Sequence, residues 1–177
     1  VNRLSATSTA RSLLDDGNDA TAASGKNIIL LSAGRIGGSG SISAADVIGG
    51  SGNFAAAIDF DLQGGTLTVI QNGPAGNIQL REVSGGLATS SLNLAGAILT
   101  PGNQLALISS GGDLTVDVSF TLSASSNVDL LLATTDGNSI SITDGATVTN
   151  AGATAATVLV ASGVPACFER RDHQRQC

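Results

Sequence analysis

Asp59 and Asp61, in the stretch "AIDFDL", are the residues best spaced for acid–base chemistry. Side chains two apart on a strand point to the same side, and paired carboxylates can act as general acid and base on a glycosidic bond. Phe60 lies between them and turns the other way with Ile58 and Leu62, which sends both acids toward solvent. That is equally the ordinary polar face of a half-buried strand. Asp113, Asp117 and Asp129 read likewise. A sugar-cleaving site would also want basic groups and stacking rings, since a site needs convergent groups rather than isolated acids. The chain has 4 Phe, no Trp or Tyr, and 1 His, and Arg81 is the one basic group in the stretch that holds these acids. No residue is therefore assigned a catalytic role, and the chain is not read as an enzyme.

The tetrapeptide "GGSG" occurs at 37–40 and again at 49–52. A calcium-binding nonapeptide repeat needs an Asp at its sixth position to supply an oxygen ligand. Here those positions hold Ile42 and Phe54. No Gly-Lys-Ser/Thr follows either copy, so neither is a phosphate-binding P-loop. The remaining reading is a corner, with glycines bending the chain and Ile42 and Val47 pointing into the core. Cys167, His173 and Cys177 offer three ligands at a spacing that matches no common zinc site. His173 has no nucleophilic serine in a credible pairing. Thr66/Thr68 and Thr147/Thr149 read as outward-facing β-branched residues. No metal site, cofactor site or cofactor is expected.

The elements that must position these residues are short strands. With 23 Gly, no Trp, Tyr or Met and 12% charged residues, the 177-residue chain suits a thin core of stacked Leu, Ile, Val and Ala layers. Apolar residues alternate at Ile28/Leu30, Ile58/Phe60/Leu62, Leu67/Val69, Ile78/Leu80, Leu92/Leu94 and Leu105/Leu107. They continue at Leu114/Val116/Val118/Phe120, Val128/Leu130/Leu132, Ile140/Ile142, Val148 and Val158/Val160. Gly-, Asn- and Asp-bearing turns separate them, and similar blocks recur about every twenty to twenty-five residues. The fold class is all-β. A right-handed parallel β-helix (β-solenoid) is favoured over an antiparallel β-sandwich, in which "TDGN" at 135–138 would be a hairpin turn. Asn27, Asn77, Asn127 and Asn138 stand at strand starts, where stacked amides or left-handed turns are useful. About six coils at the usual strand spacing would make a rod about 30 Å long.

Three segments follow: a polar, poorly ordered edge at 1–26, the solenoid body at 27–163, and a discordant, disordered tail at 164–177. The tail carries both Cys, so disulfides do not staple the body. Net charge is −6, and Arg81 is the one basic residue between Ile36 and Gly163. That excludes nucleic acid, which is met by Lys/Arg stripes. No apolar run approaches the 18 residues of a membrane-spanning helix, so no membrane insertion is expected.

The segment "NIILLSAGRIGGSGSISA" at 27–44 resembles a unit of the filamentous haemagglutinin-like large exoproteins, bacterial adhesins exported by two-partner secretion. It pairs an Ile/Leu strand with a small-residue turn, "AGRIG", and a Ser-rich loop. "GNIQL", "GGDLTV" and "DGNSISI" look like further units of this kind. The resemblance implies a shaft that projects from a secreted, outer-membrane-associated protein and supports cell adhesion. Its partners would be adjoining repeats of a longer chain, an outer-membrane transporter during secretion, and surface glycans or proteins. No Asn-Pro pair of the family's secretion domain occurs, so an interior segment is expected. The alternative function is a β-helical carbohydrate-active domain of the lyase or hydrolase kind.

Overall fold

A computed structural model describes residues 12–14, 27–49, 52–62, 64–135 and 137–161. The tail at 164–177 and all of the 1–26 segment except 12–14 lie outside the described residues. Along the chain, β1 (Ser12–Leu14) and β2 (Asn27–Ser32) precede a short helix, α1 (Ala44–Gly49). A 3-10 turn at Gly52–Ala56 leads into β3 (Ile58–Asp61), β4 (Thr66–Gln71), β5 (Ile78–Glu82) and β6 (Leu87–Ala88). A second 3-10 turn, Thr89–Ser91, leads into β7 (Leu92–Gly96), β8 (Gln104–Ser109), β9 (Leu114–Val116) and β10 (Phe120–Leu122). The last strands are β11 (Asp129–Thr134), β12 (Ile140–Ile142), β13 (Val148–Asn150) and β14 (Thr157–Ala161).

Every strand pairing among the described residues is parallel. One sheet runs β1-β3-β5-β8-β11-β14, and three smaller ones run β2-β4-β7, β6-β9-β12 and β10-β13. From β8 onward each circuit visits three sheets in turn, so the chain is a β-solenoid. The strands flanking 135–138 belong to different sheets, which removes the hairpin and with it the sandwich. Six strands at about 4.8 Å spacing place the ends of the long sheet about 24 Å apart.

Side-chain parity explains why thin aliphatic layers are sufficient. Ile78, Leu105 and Leu130 meet in one column, and Leu80, Leu107 and Leu132 in the next. These six are essentially without solvent exposure, and Leu67, Val69, Leu87, Leu114 and Val116 close the same core from the other faces. Leucine spans so narrow an interior unaided, while each layer repeats on the next at the strand spacing.

Corners of adjacent coils stack almost backbone on backbone. A Cβ added at Gly111 would lie 2.3 Å from the Cα of Ser84, one coil away. Neither backbone can yield without breaking the Ser110 N–H bond to the Glu82 carbonyl, 2.8 Å long. Gly111→Ala is therefore expected to cost about 2 kcal/mol as overpacking, read as a lower urea midpoint at unchanged slope.

Two alternations turn out differently from the sequence pattern. Val118, 47% exposed, is not in the core, because Asp117 bends the chain between β9 and β10 by accepting bonds from Ser90 and Thr89. In β14 the register sets Leu159 opposite Leu132 and Val158 opposite Leu131. Leu159 continues the Leu132 column but is 51% exposed, whereas Val160, on the outer face, is buried beneath the residues that cover that face, and Val158 is exposed.

The largest departure is at the "GGSG" pair. Ile36 bridges Ile78, and Ile58 faces Leu80. Two inward positions of β5, two residues apart, are met by residues 22 apart, so 20 residues (38–57) leave the ladder in mid-strand. Those of them that are described, 38–49 and 52–57, form a strap over the outer face of the long sheet. Gln79 grips its first limb, accepting the Gly38 N–H at 2.7 Å and donating to the Gly40 carbonyl at 2.7 Å. One coil further on, Gln104 accepts the Ile42 N–H at 2.7 Å and donates to the Ile42 carbonyl at 2.8 Å. Both amides thereby imitate the backbone partner that the strap has left behind. Ser43 and Asp46 then form a capping box that starts α1, each side chain accepting the other's backbone N–H. Ile42 and Val47 are buried as expected, but outside the solenoid. They pack with Phe54 and Ala57 on Ala106, Ile108, Leu131, Ala133 and Val160. The corner reading is corrected: residues 37–57 bridge several coils instead of rounding one.

Candidate functional site

The carboxylates singled out by spacing lie on the outer face of β3, as parity requires, but Asp59 is not free in solvent. Its register partner is Arg81. The guanidinium donates through Nε to Oδ1 and through Nη2 to Oδ2, each at 2.6 Å, and both side chains are 19% exposed. Phe54 of the strap lies over the same guanidinium, with its ring centre 4.6 Å from Cζ. The cation is held between a carboxylate and a ring, an arrangement that is stronger when partly desolvated. Both oxygens of Asp59 are committed to a fork-like ion pair, so this carboxylate ties β3 to β5, while Phe54 sets the strap's second limb on the same guanidinium. It is not poised against a substrate.

Glu82, which residue spacing did not single out, is the most perturbed acid. Alternation along "IQLRE" puts it inward with Ile78 and Leu80, and it has no solvent exposure. Burial raises its carboxyl from the ordinary 4.5 to about 7. The Ser84 and Leu62 N–H groups, at 3.0 and 3.1 Å, oppose the shift, and the nearby Asp61 charge adds to it. Ser109 and Thr134 occupy the same inward column. Each bonds a carbonyl of its own corner, Gly112 and Asn138 respectively. Glu82 is thus the first of three polar residues that close successive corners. A substrate has no route to it from the outer face where Asp59 lies.

The other acids join coils. Asp113 accepts the Ser139 N–H at 2.7 Å, and Asp129 accepts the Ala156 N–H at 2.8 Å, 26 and 27 residues ahead. Asp117 reaches back 27 residues to accept from the Ser90 hydroxyl and from the Ser90 N–H at 2.8 Å, and the hydroxyl bond above all holds its carboxyl below the usual range. Asparagines and glutamines do the same: Asn77 accepts from Gln104, Gln71 from Ile98 and Asn127 from Thr154. The four strand-start asparagines therefore form no stacked amide ladder, since each finds a different partner. Asn127 alone takes the left-handed conformation, at φ 42°.

Thr66/Thr68 and Thr147/Thr149 lie in separate sheets, on β4 and around β13, and make no common array. Cys167, His173 and Cys177 lie outside the described residues. A polar groove of about 350 Å³ opens at the corner beside the strap's first limb, lined by Arg35, Ser39, Asn77 and Asn103 among others. Arg35 is exposed, and Asn77 is already bonded to Gln104 and the Ser39 carbonyl. The groove suits contact at the surface better than enclosed chemistry. Comparison with protein-family models, with curated proteins and with solved structures gives no match.

Proposed function

We propose that this chain is a β-helical shaft segment of a secreted bacterial surface protein of the haemagglutinin-like adhesin kind, supporting attachment of cells. The observation that carries this reading is the repeated side-chain-to-backbone bonding between coils. Acids and amides that an enzyme would aim at a substrate instead join each coil to the next, as at Asp113, Asp129 and Gln71. A stack joined at its faces and its corners resists bending and splaying, as a projecting rod must. Its outer residues present Ser, Thr and Asn hydroxyls and amides to whatever it meets, such as surface glycans or proteins. Adjoining repeats and an outer-membrane transporter are the further partners this role entails.

Display of the chain on a non-adherent bacterium tests the proposal. Attachment to epithelial cells or to bacterial lawns is expected to rise severalfold over display of an unrelated β-solenoid of equal length. No rise would overturn it. So would polysaccharide cleavage between pH 5 and 9 that is lost in Asp59→Asn or Asp61→Asn, which would favour the carbohydrate-active alternative.

A further inference from the structure

Solenoid repeats touch only their neighbours, so their stability is normally a sum of local terms and they unfold from the ends. The strap breaks that rule. It leaves the ladder beside β5, and its cluster includes side chains from β8, β11 and β14. Three strand spacings, about 14 Å, separate β5 from β14. We infer that the strap is a lateral clamp that couples these four strands into one cooperative unit. Its three grips fall at different levels: Gln79 and Arg81 on β5, Gln104 on β8, and the Ile42/Val47 contact that extends to Leu131, Ala133 and Val160. Lifting β14 away therefore strips Val160 from the strap as well as β14 from β11. Opening at one end disturbs contacts that also hold the middle.

The register defines how to remove the clamp without disturbing the ladder. Deleting 38–57 joins Gly37, level with Gln79, to Ile58, level with Leu80, and restores one uninterrupted strand. Glycine accepts the extended conformation there as readily as its present φ of 99°. The test is native-state hydrogen exchange on the full chain, on the deletion variant and on Val47→Asp, which keeps the strap but charges its apolar face. In the full chain the amides of β5, β8, β11 and β14 are expected to open together. In both variants β14 should open first, with protection at least roughly tenfold below that of β8, graded back toward β5. Graded opening in the full chain, or concerted opening in the variants, would overturn the clamp. Should the deletion fail to fold, Val47→Asp alone decides.

Discussion

Relative to the parent, the Glu82→Gln variant is expected to gain about 3 kcal/mol of stability between pH 4 and pH 8. The sign follows from where the proton sits. In the unfolded chain Glu82 titrates at its ordinary 4.5, and in the folded chain burial holds it to about 7. Below 4.5 both states are protonated and the parent has its full stability. Between 4.5 and 7 the unfolded chain loses its proton first, so stability falls steadily as pH rises. Above 7 the folded chain holds a buried carboxylate and the loss is complete. Leu62 and Ser84 donate to different carboxylate oxygens, so glutamine keeps one of these bonds and turns its NH2 toward the other N–H. That penalty is the same at every pH and leaves the pH-dependent difference to report the charge. The measurement is urea unfolding of parent and variant at pH 4, 6 and 8. Parallel pH profiles would show that Glu82 is not the titrating group. Asp46 and Asp117, whose carboxyls are lowered by bonds from Ser43 and Ser90, lose their contribution as pH falls through the acid range. They do so equally in both proteins and cancel from the difference.

Leu107→Ala is the second large effect. Leu107 sits between Leu80 and Leu132 in the central column, with no exposed surface. Its neighbours are fixed by ladders above and below and cannot collapse into the space. A loss of about 3 kcal/mol is expected, the sum of lost transfer energy and a retained cavity. Ile29→Ala, at a position 47% exposed on the outer face of β2, serves as the comparison and should change stability by less than about 1 kcal/mol. Thermal or urea unfolding of both variants checks the pair. A larger effect at Ile29 than at Leu107 would mean that the inward and outward faces have been interchanged.

The fold was legible because parallel β-coils leave a local signal: period-2 apolar residues, small-residue corners and a recurring block length. Ile78/Leu80, Leu105/Leu107 and Leu130/Leu132 show all three. What escaped was whatever depends on register between distant strands. Asp59 and Arg81 are 22 residues apart, and only their pairing reveals an ion pair. Leu159 aligns with Leu132 yet is exposed, and Val160 on the opposite face is buried by the strap, which no pattern within β14 announces. The strap was hidden more deeply. Ile42, Val47 and Phe54 follow no single period, and nothing local says that a strand pauses at Gly37 and resumes at Ile58. Glu82 was visible by parity, yet a Glu at the end of "IQLRE" reads equally well as the strand's exit into a turn.

The interrupted strand also says what a β-ladder can and cannot detect. β5 requires that Ile36 and Ile58 arrive on neighbouring inward rungs, and it is indifferent to the route between them. A mid-strand position is usually where a chain tolerates no extra residues, since a shift of one would turn every side chain over. Here both ends of the excursion return in phase, so the coil above registers no insertion at all. The splice at 37/58 is therefore a natural port. Peptides of other length and content could be grafted there while the rod beneath keeps its count.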